Sequence, residues 1–330
     1  FFALLNLNDP FMGLDLNAGG HLTHGSAVNF SGKFYKPIPY GVEKETETIN
    51  MDQVRKIAEK EKPKMIISGS TAYSRTLNFK EFQEIAKDVD AYHLADISHI
   101  SGLVVGGVHP SPFPFTDVVT TTTHKTLRGP RDAIIMCKVE DRLKHKYHPD
   151  SKWNLAQLID RAVFPGLQGG PHDNETAARA VCFSEAMKPD FKVYAEQIVK
   201  NAKALCEELM NLGLKIVSNG TDNHLMVIDL TKSNLLGQGK TIQEALDKAG
   251  ITTNRNTIPF EPSSPFKPSG IRLGTPAVTT RGFKESEMKL IAEAIHKVIT
   301  NHENQELLAK VKQEMKELSI QFPLYPGIMD

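Results

Sequence analysis

The stretch PKMIISGSTAYSRTLNFKEFQEIAKDVDAYHLAD, residues 63–96, decides the fold. Met65 to Ile67 form a short apolar run with the length and β-branched content of a buried strand. Phe82, Ile85, Ala86 and Val89 then recur at helical spacing, and Tyr92 to Ala95 supply a second strand that ends at Asp96. Strand, amphipathic helix and strand in succession predict an α/β layer with a mainly parallel sheet.

The pattern extends in both directions. Upstream, Asn50 can cap a helix whose apolar face carries Val54, Ile57 and Ala58, and Pro63 helps to stop it. Downstream, Val118 to Thr121 read as a strand running into His124 and Lys125, and Ala133 to Cys137 as another after the turn at Gly129-Pro130. In open α/β sheets ligands bind beyond the carboxyl ends of the strands, so Asp96 and Lys125 can converge there. The opening FFALLNLNDPFMG reads as the end of an apolar helix followed by a turn, as though a segment precedes Phe1.

Tyr194, Ile198, Leu205, Leu209 and Leu212 mark a long amphipathic helix that ends at Gly213. Beyond it, Leu214–Val217, Leu225–Leu230 and Ile271–Leu273 read as strands. Ile242–Ala249 and the row Met288, Ile291, Ile295, Val298 read as helices. The expected organisation is a large domain over 1–190, a connecting helix over 191–213 and a small α+β domain over 214–330. A chain of 330 residues, 40% of them hydrophobic, exceeds the roughly 250–300 residues at which a single core divides.

Lys plus Arg and Asp plus Glu both number 39, so no net charge draws the molecule to nucleic acid or to an anionic membrane. A small molecule or a second copy is the expected partner. Three widely spaced cysteines, Cys137, Cys182 and Cys206, suit reduced thiols in a cytoplasmic protein rather than a disulfide framework, and no apolar run approaches a membrane span.

Several strings carry chemistry. Thr120 to Thr123 followed by His124-Lys125 is poor material for a dry core. Lys125 is either a solvated loop lysine or an amine tuned to form a Schiff base. Asp96 is either a helix N-cap or an acid facing the ring nitrogen of pyridoxal phosphate. In GGHLTHG, His21 and His24 lack the further ligands zinc requires, and an imidazole stacked on a cofactor ring stands beside an ordinary loop histidine. Gly169-Gly170 leaves backbone amides open to an anion, or is simply a turn. Arg272, inside an apolar strand pattern, suits either a substrate carboxylate or a structural salt bridge.

Taken together, GGHLTHG, LADISHISGL, TTTTHKTLRGPR, VFPGLQGGP, TDNH and SGIRLGTP stand in the order and spacing of the serine hydroxymethyltransferase family. The chain resembles that family along its whole length. The resemblance implies the aspartate-aminotransferase-type (fold type I) pyridoxal-phosphate fold and reversible transfer of the serine hydroxymethyl group to tetrahydrofolate. Glycine and 5,10-methylenetetrahydrofolate would be the products.

By position in the motifs, it implies that Lys125 is the Schiff-base lysine, Asp96 the partner of the ring nitrogen, and His21 the residue stacked on the ring. His99 and Thr71 would touch the cofactor's phenolic oxygen or the substrate. Thr122 would contact the cofactor beside the lysine, His124 would tune specificity, and Gly170 would reach the phosphate of a neighbouring subunit. Arg272 would hold the amino-acid carboxylate. Leu16, Gly20, His21, Leu22, Asn256, Ser264, Pro265 and Phe266 would form the folate site. A homodimer or tetramer in the cytoplasm, binding no metal, nucleic acid or membrane, completes the expectation.

The resemblance also implies departures. The family has a further N-terminal segment with a phosphate-binding Ser-Gly loop, active-site tyrosines and an acid–base glutamate, which this sequence lacks; aggregation or poor dimer formation is the expected consequence. Thr71 stands where serine is usual, Ser98 where alanine is common, and Asp132, beside Arg131 as a potential partner, where glycine is common. Two other readings stay open: a non-catalytic chain that keeps the fold, and a folate-independent pyridoxal-phosphate aldolase.

Overall fold

A computed structural model describes residues 1–324. The chain forms two compact units. The first comprises residues 1–43, 49–71 and 77–191, and the second residues 44–48, 72–76 and, of the described residues, 192–324.

The first unit is built on a six-stranded sheet of order β2-β1-β3-β4-β5-β6. Its strands are β1 (Pro10–Leu14), β2 (Lys36–Tyr40), β3 (Met65–Gly69), β4 (Tyr92–Asp96), β5 (Val118–Thr122) and β6 (Ala133–Cys137). All neighbours pair parallel except β5 and β6, which run antiparallel. Side chains alternate between the faces. Met65, Ile67, Tyr92, Leu94 and Val118 bury one face with Leu143, Leu155 and Ile159. From the other face His93 stacks on Phe82 of helix Phe79–Asp88, ring centroids 5.9 Å apart. Asn50 caps helix Met51–Glu61 by accepting from the Gln53 amide, as the sequence leads one to expect.

The reading of FFALLNLNDPFMG as a helix end is corrected: residues 2–4 are turns, and Pro10–Leu14 is an internal strand, flanked on both sides. A strand buried on both faces loses the alternation that would distinguish it from helix.

His93 is fully buried and hydrogen-bonded at both ring nitrogens. Nδ1 donates to the Phe115 carbonyl at 2.6 Å, which leaves Nε2 to accept the Ser68 hydroxyl at 2.7 Å. Burial, the dominant cause, pushes its pKa from 6.5 down to about 4 against the raising effects of that carbonyl and Asp117. Between those values the unfolded chain binds a proton that the folded chain refuses, so stability rises with pH across that window. The contribution is complete above the unfolded pKa. It falls by about 3 kcal/mol as the pH drops through the window to the folded value. His93→Gln keeps an acceptor for the Ser68 hydroxyl and does not titrate, so urea midpoints measured from pH 7 to pH 4 are expected to decline less steeply than in the parent. Equal slopes would remove His93 as the cause.

The second unit has a four-stranded antiparallel sheet of order β7-β8-β10-β9, with β7 (Lys215–Ile216), β8 (Leu225–Asp229), β9 (Asn254–Asn256) and β10 (Gly270–Gly274). Ile216, Met226, Ile228, Ile271 and Leu273 pack against Leu205, Leu209, Ile242, Leu246, Met288, Ile295 and Val298. These come from helices Pro189–Asn211, Gly239–Lys248 and Glu285–Thr300. Gly213, at φ +89°, ends the long helix in a conformation glycine tolerates without strain.

Candidate active site

At the carboxyl ends of β3, β4 and β5 lies a cavity of about 320 Å³, within the ordinary size range of small-molecule sites. Its lining includes His21, Thr71, Asp96, His99, Thr122 and Lys125. The parallel register that sets Gly69 beside Asp96, and Asp96 beside Thr120, brings these distant segments together. Gly69 is required for the approach, since a Cβ there would stand 2.4 Å from the Asp96 carbonyl oxygen.

Asp96 is not a helix N-cap; the next helix, Ser101–Val105, starts after Ile100. Its Oδ1 instead accepts from the Ser98 amide at 3.0 Å and the Ser98 hydroxyl at 2.6 Å. Oδ2 faces His24 Nε2 at 3.1 Å. His24 Nδ1 accepts the His21 amide at 3.3 Å, which puts the imidazole proton on Nε2, donating to Asp96. Burial alone would raise the Asp96 pKa, but the hydrogen bond and electrostatic pull of His24 and the two Ser98 bonds together outweigh it and hold the carboxyl well below the usual range. Asp96 is therefore an anion at neutral pH. The stability this confers is present above the ordinary carboxylate pKa and is lost as pH falls through the folded value.

His21 sits at the cavity as the N-cap of a short 3-10 turn, its Nδ1 accepting the Thr23 amide at 3.2 Å. Burial first, then His24 and Lys125, lower its pKa and favour a neutral ring. Lys125 Nζ donates to Thr122 Oγ1 at 3.0 Å. The Lys125 backbone is pinned from behind: Thr126 Oγ1 accepts from the Gly102 amide at 2.9 Å and donates to the His99 carbonyl at 3.0 Å. Among the described residues, no group of three or more His, Cys, Asp or Glu is placed to hold a metal.

The remaining sequence candidates lie elsewhere. His124 is half-buried beside Lys125 but does not line the cavity; burial, Lys125 and Arg131 lower its pKa. Gly170 is exposed with open space at its Cβ position, and Leu16 and Leu22 expose much of their side chains. Gly20 is buried, and a Cβ there would meet the Leu14 carbonyl oxygen at 1.9 Å. In the second unit, Arg272 on β10 donates to Asn254 Oδ1 at 3.3 Å, and burial lowers its pKa. Asn256 donates to the Thr257 carbonyl at 2.6 Å, and Ser264 to Phe266 form an exposed turn. Asp132 does not pair with its neighbour Arg131. Its Oδ2 lies 3.0 Å from Arg179 Nε of helix Asp173–Ala186, a partner 47 positions away that sequence adjacency cannot reveal.

Residues 1–295 match the family described as Serine hydroxymethyltransferase. The chain belongs to the serine hydroxymethyltransferase family. It is 52% identical over 334 residues to the serine hydroxymethyltransferase of Novosphingobium aromaticivorans, a match covering 99% of this chain and 73% of that protein. Serine hydroxymethyltransferases have the fold type I architecture of pyridoxal-phosphate enzymes, and the mainly parallel six-stranded sheet is consistent with it. The cavity fits that cofactor's chemistry: an amine for its aldehyde at Lys125, a half-buried anion for its ring nitrogen at Asp96, and an imidazole in its lining at His21.

Proposed function

We propose that this chain catalyses the pyridoxal-phosphate-dependent, reversible transfer of the serine hydroxymethyl group to tetrahydrofolate, giving glycine and 5,10-methylenetetrahydrofolate. The observation that carries the reading is the convergence of Lys125 and the His24-supported Asp96 carboxylate on one cavity, in a chain of this family.

When bound, pyridoxal phosphate supplies an electron sink conjugated to the Cα of the amino acid. The chain's own residues position and polarise. Lys125 presents Nζ, oriented by Thr122 Oγ1, to the cofactor's aldehyde carbon. Asp96 stays anionic and so keeps a proton on the ring nitrogen, while His24 takes up its second oxygen. His21, whose lowered pKa favours a neutral ring, would stack on the cofactor ring. His99 and Thr71 contact the cofactor or substrate, and His124 acts beside the lysine. Arg272 binds the amino-acid carboxylate as a bidentate donor, and Gly170 contributes to a neighbouring subunit's phosphate site. Leu16, Gly20, Leu22, Asn256, Ser264, Pro265 and Phe266 take the folate.

A homodimer is supported by the exposed apolar side chains Phe164, Leu167, Val181 and Met187 in the segment around Gly170. Three free thiols support a reducing, cytoplasmic setting. Among the described residues no helix is long and apolar enough to cross a membrane.

The direct test supplies serine, pyridoxal phosphate and tetrahydrofolate to the purified chain and follows glycine formation. Glycine that appears only with tetrahydrofolate is the expected result. Equal cleavage without it would instead indicate an aldolase, and no turnover in either arm would reject the assignment for this chain.

A further inference from the structure

Ser98 follows β4 two residues after Asp96 and sits between two partners, Asp96 and Thr122. Its hydroxyl lies 2.6 Å from Asp96 Oδ1 and 3.1 Å from the Thr122 amide nitrogen. A carboxylate oxygen only accepts and an amide N–H only donates, so the orientation of the hydroxyl is determined. Its proton goes to Asp96 and its lone pair receives Thr122 N–H. Thr122 returns a contact from its own hydroxyl to the Ser98 carbonyl at 3.5 Å, and that same hydroxyl accepts from Lys125 Nζ at 3.0 Å. The acid at the end of β4 and the amine that follows β5 are thus joined through two residues.

We propose that Ser98 is a positioning residue for Asp96, whose hydroxyl locks the carboxylate toward the cavity and ties it to the strand end that holds Lys125. The proposal rests on the cofactor reading above. Alanine at this position would keep the Ser98 amide bond to Asp96 but remove the second donor to Oδ1 and the acceptor for Thr122 N–H. The carboxylate would regain rotational freedom, which cofactor binding must then remove, and the half-buried Thr122 amide would have to find water.

The test compares the parent chain with Ser98→Ala and Ser98→Thr. Pyridoxal phosphate affinity, the position of the visible band of the lysine-linked cofactor, and hydrogen exchange at the Thr122 amide without cofactor are the readouts. Ser98→Ala is expected to bind pyridoxal phosphate about tenfold more weakly, the equivalent of one net hydrogen bond. Its band should shift, and Thr122 should exchange faster even in the cofactor-free protein. Ser98→Thr, which keeps the hydroxyl, should restore all three. A Ser98→Ala chain that matches the parent in affinity, band and exchange would overturn the proposal, and so would equal weakening in both variants, since bulk rather than the hydroxyl would then matter. A parent chain that forms no reducible band with pyridoxal phosphate would overturn the cofactor reading itself, and the proposal with it.

Discussion

Lys125→Ala is expected to abolish the visible band that pyridoxal phosphate gives with the parent chain, and to lower the rate of glycine formation on the order of 10³-fold, the scale of a positioned acid–base or covalent group. The loss should be local. Residues on both sides of Lys125 are held by backbone-directed bonds, with Thr126 stapled to Gly102 and His99, and with Thr123 Oγ1 donating to the Pro130 carbonyl at 2.6 Å. Truncating the side chain leaves that frame in place. It removes the donor to the Thr122 hydroxyl, which lines the cavity and can be hydrated. Thermal stability should therefore change little while chemistry fails. The check is borohydride reduction of the cofactor-treated parent and variant, followed by peptide mapping: label on the peptide containing residue 125 in the parent and none in the variant. A reducible band that survives in Lys125→Ala would place the covalent link on a different amine.

Much of this was legible in the residues, and the exceptions have physical causes. Strands β3 to β6 are short apolar runs bounded by turn residues, so periodicity exposes them. The rule that ligands gather at strand carboxyl ends then brings Asp96 and Lys125 to one place. β2, with sequence KPIPY, resists the same reading because Pro37 and Pro39 cannot donate to a ladder; it survives as an edge strand, paired among the described residues to β1 alone. β9 is Asn-Arg-Asn, with no apolar residue to mark it, and is likewise an edge.

Within the site, GGHLTHG announces two histidines but not their division of labour. That His24 rather than His21 grips Asp96 depends on a 72-residue separation closed by the sheet, and on Gly13 of β1. A Cβ on Gly13 would stand 2.6 Å from the His24 carbonyl oxygen, so only glycine lets that turn settle against the strand. The Ser98 bridge is equally invisible, since its second partner comes from the next strand.

Asp96→Asn should separate charge from shape. The two side chains are nearly isosteric, yet three donors converge on Asp96: the Ser98 amide and hydroxyl on Oδ1, and His24 Nε2 on Oδ2. A carboxylate accepts all three. Asparagine has one acceptor atom, so its NH₂ must face either the Ser98 pair or the His24 proton, and a donor meets a donor in a half-buried site. His24 can relieve this only by moving its proton to Nδ1, which then opposes the His21 amide. The fold is expected to lose about 1–3 kcal/mol, the penalty for a buried polar group left unmatched. Activity should fall further, by about 10²–10³-fold, because a neutral amide cannot hold the proton on the ring nitrogen that makes the cofactor an electron sink. Urea unfolding, pyridoxal phosphate affinity and kcat for serine separate these effects. A variant that is destabilised but turns over serine at the parent's rate would make Asp96 structural. A stable variant with kcat reduced by two orders of magnitude would confirm that the anion, rather than the scaffold around it, is what the site requires.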